Sequence, residues 1–132
     1  PMDGIHSGKT RVLVVDREAD VRETLRKVLA EQANYEVRAS PSAFAAGLEC
    51  ERFRPHVLLL DLHVDEADPA AFIKTVRESD DLAITRVVAM SGKLTDGQAM
   101  HLRAQGFDGF LKKPFQVRQV IQEIERATAL VH

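Results

Sequence analysis

The chain has 132 residues, of which 45% are hydrophobic and 29% charged, and a formal net charge of −2. That length fits one domain able to bury a core without disulfides or metals, and the balance excludes a disordered or fibrous chain. The slight negative charge excludes a general attraction to nucleic acid, and no apolar run approaches the roughly 18 residues of a membrane-spanning helix.

Residues 1–9 are polar and contain glycine. They are expected to be a tag or linker remnant from outside this fold, with the folded domain at 10–129. Val12 to Val15 reads as a first buried strand, and Val21, Leu25, Val28 and Leu29 then share one helical face. Asn34 is placed to end that helix in a left-handed conformation, ahead of a second strand at Tyr35-Glu36-Val37. A helix near 42–53 has a weak apolar stripe and carries the single cysteine, Cys50. With no partner thiol, no nearby base and no recognisable signal peptide, Cys50 reads as an unreactive packing residue in a reducing cytoplasm.

Val57 to Leu60 forms the third apolar run. Asp68 followed by Pro69 predicts an N-cap with proline in the first helical position, and Phe72, Ile73 and Val76 line that helix. Val87 to Met90 is the fourth strand. A weakly patterned helix near 95–105 stops at Gly106, Phe110-Leu111 is the fifth strand, and Val117, Val120, Ile121 and Ile124 make the clearest helical stripe in the chain. The outward positions of that last helix, Arg118, Gln119, Gln122, Glu123 and Arg126, single out no partner.

Five strands alternating with five helices predict an α/β three-layer sandwich with a parallel sheet. Ligands of such sheets bind beyond the carboxyl ends of the strands, where strand order reverses. The residues at those ends are Asp16, Asp61, Ser91 and the run Lys112-Lys113-Pro114. With strand order 2-1-3-4-5, Asp16, Asp61, Ser91 and Lys113 converge on one edge.

Four segments now carry a resemblance: Val-Leu-Val-Val-Asp16, Val-Leu-Leu-Leu-Asp61, Val-Val-Ala-Met-Ser91-Gly92 and Phe110-Leu-Lys-Lys113-Pro114-Phe115. In this order and spacing, from about Arg11 to Ala127, the chain resembles the receiver domains of two-component response regulators, which have a CheY-like, flavodoxin-like fold. The resemblance implies a bacterial signalling domain in which Asp61 accepts a phosphoryl group as nucleophile. It implies a magnesium ion held by Asp16, Asp61 and the backbone carbonyl of His63, with Glu18 as a further candidate ligand. Lys113 would pair with phosphate oxygens and Ser91 would donate its hydroxyl to the phosphoryl group. Gly92 would leave the acceptor accessible, and Pro114 would follow a cis bond. Ser91 and Phe110 are the implied switch residues, and the surface of the fourth helix, fifth strand and fifth helix is the implied readout and homodimer face. The implied partners are a sensor histidine kinase or phosphotransfer protein and an output domain outside this fragment. No direct nucleic-acid or membrane contact is implied, and no enzymatic activity beyond self-catalysed phosphorylation and dephosphorylation.

The chain departs from the family at Arg17, where a second acidic residue normally binds the metal. Either Glu18 or water replaces that ligand, or Arg17 pairs with Asp61 or Asp16 and takes the metal's place, leaving a phosphorylation-independent interaction module. The loop Val64-Asp65-Glu66-Ala67-Asp68-Pro69 is also unusually acidic. An alternative from another class is a haloacid-dehalogenase-type phosphohydrolase with Asp16 as nucleophile, Glu18 as second acid, and Ser91 and Lys113. Simpler readings exist for single residues: Asp16 as a turn residue, Glu18 in a first helical turn, Lys112 facing solvent and Phe110 as core. His6, His56, His101 and His132 lack metal-ligand spacing.

Overall fold

The computed structural model describes residues 8–64, 68–80, 82 and 84–129. In chain order these form β1 (Thr10–Val15), α1 (Ala19–Ala30), β2 (Tyr35–Ser40), α2 (Ala43–Phe53), β3 (Val57–Asp61), α3 (Pro69–Glu78), β4 (Arg86–Ser91), α4 (Asp96–Gln105), β5 (Gly109–Lys112) and α5 (Val117–Ala129). All strand pairs are parallel and the sheet order is β2-β1-β3-β4-β5. The expected architecture is therefore the observed one. The strands run slightly further than their apolar cores, so Asp61 and Ser91 are the last residues of β3 and β4.

Alternation along each strand divides the core in two. Val12, Val14, Leu59, Val88 and Met90 meet Leu25 and Leu29 of α1 and Val120, Ile124 and Ala127 of α5. Leu13, Val15, Leu58, Leu60, Val87 and Ala89 meet α2, α3 and α4 through Ala46, Phe53, Ile73, Val76 and Leu102. Helices on both faces explain the nearly continuous apolar runs of β1 and β3. Cys50 lies in the second layer, 3% exposed. Burial, helped by the neighbouring Glu49 charge, pushes its thiol up to about 11. Little thiolate exists at neutral pH. A disulfide-exchange reagent is expected to react with the native chain about a hundredfold more slowly than with the guanidinium-unfolded chain, from ionisation alone.

The helix ends follow side-chain chemistry. The Ser42 side chain accepts from Ala45 N–H, and Asp68 from Ala70 N–H with Pro69 following as predicted. Thr95 and Gln98 form a reciprocal capping box, satisfying two otherwise orphaned amides. Gly106 ends α4 at φ 116°, a conformation that a Cβ would strain. The expectation for Asn34 fails. The C-cap of α1 is Glu31 in right-handed helical conformation, and Asn34 instead receives Thr10 N–H at its carbonyl. The left-handed stop falls on Arg54, at φ 49° after α2.

β5 is an edge strand, and α5 covers it with charge. The Glu123 carboxylate accepts Phe110 N–H (2.8 Å), while Arg126 holds Glu123 and donates to the Asp108 carbonyl. Glu123 and Arg126 thus clamp the strand, contrary to their reading as outward residues. The clamp needs Gly109, because a Cβ there would lie 2.3 Å from a Glu123 oxygen. Burial would push the Glu123 carboxyl up. The hydrogen bonds from Arg126 and Phe110 and the charges of Arg126 and Arg103 outweigh it and hold the group below its ordinary value of 4.5. A depressed carboxyl stabilises the fold above its unfolded pKa and loses that contribution as pH falls through the folded one. Glu123→Gln is therefore expected to cost about 1–2 kcal/mol at neutral pH. The gap between wild type and variant should close below pH 4.5, as denaturant titrations at several pH values would show.

Candidate functional site

Register brings the polar residues together. Val15 of β1 is paired with Leu60 of β3, so Asp16 and Asp61, one residue further on, stand side by side beyond the pair. Asp61 lies opposite Met90, and Ser91 opposite Lys112. Both carboxylates are buried, Asp16 at 0% and Asp61 at 3% exposure.

Asp16 is fully engaged. Its Oδ1 accepts Glu18 N–H (2.9 Å), its Oδ2 accepts the Lys113 ammonium (2.7 Å), and its backbone carbonyl accepts Arg22 Nη1 (2.8 Å). Asp61 is held on one side only. Its Oδ1 accepts His63 N–H (3.1 Å) and lies 3.7 Å from Lys113 Nζ. Among the described residues, Oδ2 of Asp61 accepts no hydrogen bond, and it is not sealed from solvent. One lysine thus serves two buried like charges, with Glu18 at the rim 3.9 Å away.

Lys113 reaches this position from the end of β5. Its N–H donates to the Ser91 carbonyl (2.9 Å), and the Lys113–Pro114 bond is cis, as the resemblance implied. The Ser91 hydroxyl oxygen accepts Lys93 N–H (3.1 Å), fixing the turn after β4. Lys112, opposite in strand direction, is exposed. Phe110 is half-buried against the second core layer, with the Arg103 guanidinium 5.1 Å from its ring centroid.

The structure corrects the pairing considered for Arg17. Its side chain is exposed and, among the described residues, makes no hydrogen bond or ion pair. Lys113, not Arg17, neutralises Asp16. Glu18 is the N-cap residue of α1, and its side chain is 63% exposed. Of the histidines, His56 accepts Arg11 N–H through Nδ1, and His101 is exposed on α4 beside Gln105. His6 and His132 lie outside the described residues, as do Asp65, Glu66 and Ala67 of the acidic loop.

The residues fit a hard divalent cation in part. Two adjacent buried carboxylates are the donors that magnesium uses, and the His63 carbonyl accepts no hydrogen bond among the described residues. A third acidic side chain is missing: the described residues contain no cluster of three metal-ligating groups. No described helix is long and apolar enough to cross a membrane.

A parallel sheet of this order, with two acids and a lysine at its carboxyl edge, is the arrangement of phosphoacceptor signalling domains. The chain belongs to the response regulator receiver domain family, whose model matches residues 12–125; phosphoryl acceptance is the function of that family. It is 30% identical to the transcriptional regulatory protein ResD of Bacillus subtilis over 90% of this chain, but it spans only 48% of that protein. It is 24% identical to the polar-differentiation response regulator DivK of Brucella anthropi, covering 89% of this chain and 94% of DivK. In structure it resembles the chemotaxis response regulator CheY4 of Vibrio cholerae, with a TM-score of 0.82 at 23% identity over 90% of this chain and 98% of that one.

Proposed function

We propose that Asp61 is the phosphoacceptor of this receiver domain, which comprises residues 10–129. The observation that carries this is the asymmetry of the two acids: both Asp16 oxygens are occupied, whereas Asp61 keeps Oδ2 free beside the lysine. That oxygen attacks phosphorus, the bond from phosphorus to the donor's leaving group breaks, and the leaving group departs with the electron pair. A histidine kinase or phosphotransfer protein is the donor in the cell. Asp16, Asp61 and the His63 carbonyl would hold magnesium, which supplies positive charge between anionic donor and anionic acceptor. Lys113 is in place to pair with a phosphoryl oxygen, and the Ser91 hydroxyl is free to turn its hydrogen toward the same group.

The signal then passes along β4 and β5. Charge and acceptor oxygens added at Asp61 favour conformers in which Ser91 and Lys113 close on them, biasing a two-state equilibrium. Phe110 lies two residues before Lys112, under Arg103, so its packing is the expected reporter. The face of α4, β5 and α5 is the readout and candidate homodimer surface. The domain acts in the cytoplasm as a phosphoacceptor without turnover of a separate substrate, and ResD, twice as long, is consistent with an output domain beyond this fragment.

The fully buried, doubly bonded Asp16 argues against the phosphohydrolase alternative, which needs that carboxylate as nucleophile. Incubation with acetyl phosphate and magnesium tests the proposal. A single hydroxylamine-labile phosphoryl group, mapped to Asp61 after borohydride reduction, is the expected product. Steady phosphomonoester turnover dependent on Asp16 and independent of Asp61 would overturn it.

A further inference from the structure

The outer edge of β5 is covered at one end and open at the other. Leu111 and Lys113 turn their backbone groups toward β4, where Lys113 N–H donates to the Ser91 carbonyl. Alternation then turns the backbone groups of Phe110 and Lys112 outward. At the start of the strand α5 takes up two outward groups: Glu123 accepts Phe110 N–H, and Arg126 donates to the Asp108 carbonyl. Further along, the Phe110 carbonyl and both backbone groups of Lys112 have no hydrogen-bond partner among the described residues. Beside them lies a cleft of about 400 Å³ between β5 and α5, with Phe110, Lys112, Phe115, Gln122 and Arg126 in its walls. The Lys112 side chain is exposed and, among the described residues, in no ion pair.

Unpaired amide and carbonyl groups along a strand edge are a template for a further strand. Charge decides which strand fits. Pairing with β5 of a second copy about a two-fold axis sets Lys112 against Lys112, or else displaces Glu123 from Phe110 N–H. Like charges directly opposite one another destabilise an antiparallel pair, whereas an acid opposite a lysine stabilises it. Glu123 is already matched by Arg126, and the Arg103 guanidinium over the Phe110 ring leaves this edge with a surplus of positive charge. We propose that the open half of β5 is a docking edge for an extended, acidic segment of a partner protein, added to the sheet with an aspartate or glutamate opposite Lys112. This names the kind of partner for the readout face of α4, β5 and α5, and it rests on that reading. An antiparallel segment satisfies both backbone groups of Lys112 with one residue. The Glu123 clamp confines the pairing to the Lys112 end, so the segment that pairs is short.

The test uses the full, unphosphorylated chain and a short fluorescein-labelled peptide of alternating valine and threonine with one central aspartate. Companion peptides carry lysine at that position, or the aspartate with its amide N-methylated. Anisotropy gives the affinities, and amide NMR shows where the peptide sits. The aspartate peptide is expected to bind about tenfold more tightly than the lysine peptide, and Lys112→Glu to reverse that order. N-methylation is expected to weaken binding about tenfold, and peptide binding should shift the Lys112 amide and slow its exchange. Affinities within twofold for all three peptides, or binding that leaves the Phe110 and Lys112 amides unshifted, would overturn the proposal. Association of the chain with itself through β5 would make a second copy the occupant and overturn it too. No peptide binding, with the amides of α4, β5 and α5 still shifted by acetyl-phosphate labelling, would remove the docking edge and leave the readout reading intact. Peptide bound at Lys112, with those amides unmoved by labelling, would remove the readout reading and keep the edge as a site independent of Asp61.

Discussion

Asp61→Asn is expected to reduce acetyl-phosphate labelling to background and, at the same time, to raise the stability of the unphosphorylated domain. The first effect follows from chemistry, since an amide oxygen is too weak a nucleophile to form the acyl phosphate. The second follows from geometry. Asp16 and Asp61 are both buried, and the single ammonium between them lies 2.7 Å from one and 3.7 Å from the other. Asparagine keeps the volume and the Oδ1 acceptor for His63 N–H while removing one of two like charges. The gain is about 1 kcal/mol, read as a higher denaturant midpoint with an unchanged slope. Full labelling of the variant would sink the assignment of Asp61. A lower midpoint would show that Lys113 offsets both acids better than the distances indicate.

The sequence placed this site through strand ends, and it did so reliably because burial on both faces leaves a strong signal. Valine and leucine runs fix where β1, β3 and β4 stop, and a parallel register then carries Asp16, Asp61 and Ser91 to one edge whatever the loops do. Helix ends were legible where one residue type decides them, as at Asp68-Pro69 and Gly106. They were not where several solutions are open. Asn34 offered a left-handed stop that α1 does not use, while Arg54 adopts one with no special propensity. The Thr95 and Gln98 spacing carries a capping-box signal in the sequence itself, with no apolar stripe beside it to draw the helix start. The electrostatics inside the site were harder still. Arg17 is adjacent to Asp16 in sequence, yet Lys113, 97 residues away, neutralises it. Chain proximity does not tell which cation the fold aims inward. The Glu123 clamp on β5 escaped for a similar reason, since its position on α5 looks solvent-facing until the edge strand is placed beneath it.

Lys113→Ala is expected to have the largest effect on stability of any change at the site, and an effect that magnesium partly reverses. Asp16 has no exposed surface, so without the ammonium its charge stays buried against one amide, with the Arg22 guanidinium on its backbone carbonyl. Breaking a buried pair from one side costs on the order of 3 kcal/mol, or roughly 10 °C in melting temperature for a domain of this size. A divalent ion binds only the folded chain and stabilises it by mass action, about 1.4 kcal/mol for each tenfold rise above the dissociation constant. In wild type that gain is reduced, because the ion competes with Lys113 for the oxygens of Asp16. In the variant the competitor is gone, so magnesium should raise the melting temperature more in Lys113→Ala than in wild type, although the variant starts lower in chelator. Lys112→Ala is the control, since its side chain is exposed and should matter by no more than about 0.5 kcal/mol. Equal magnesium shifts in wild type and Lys113→Ala would mean that lysine and metal do not share Asp16. In that case the ammonium is a stabiliser of the resting fold and not a charge that the pocket exchanges during phosphorylation.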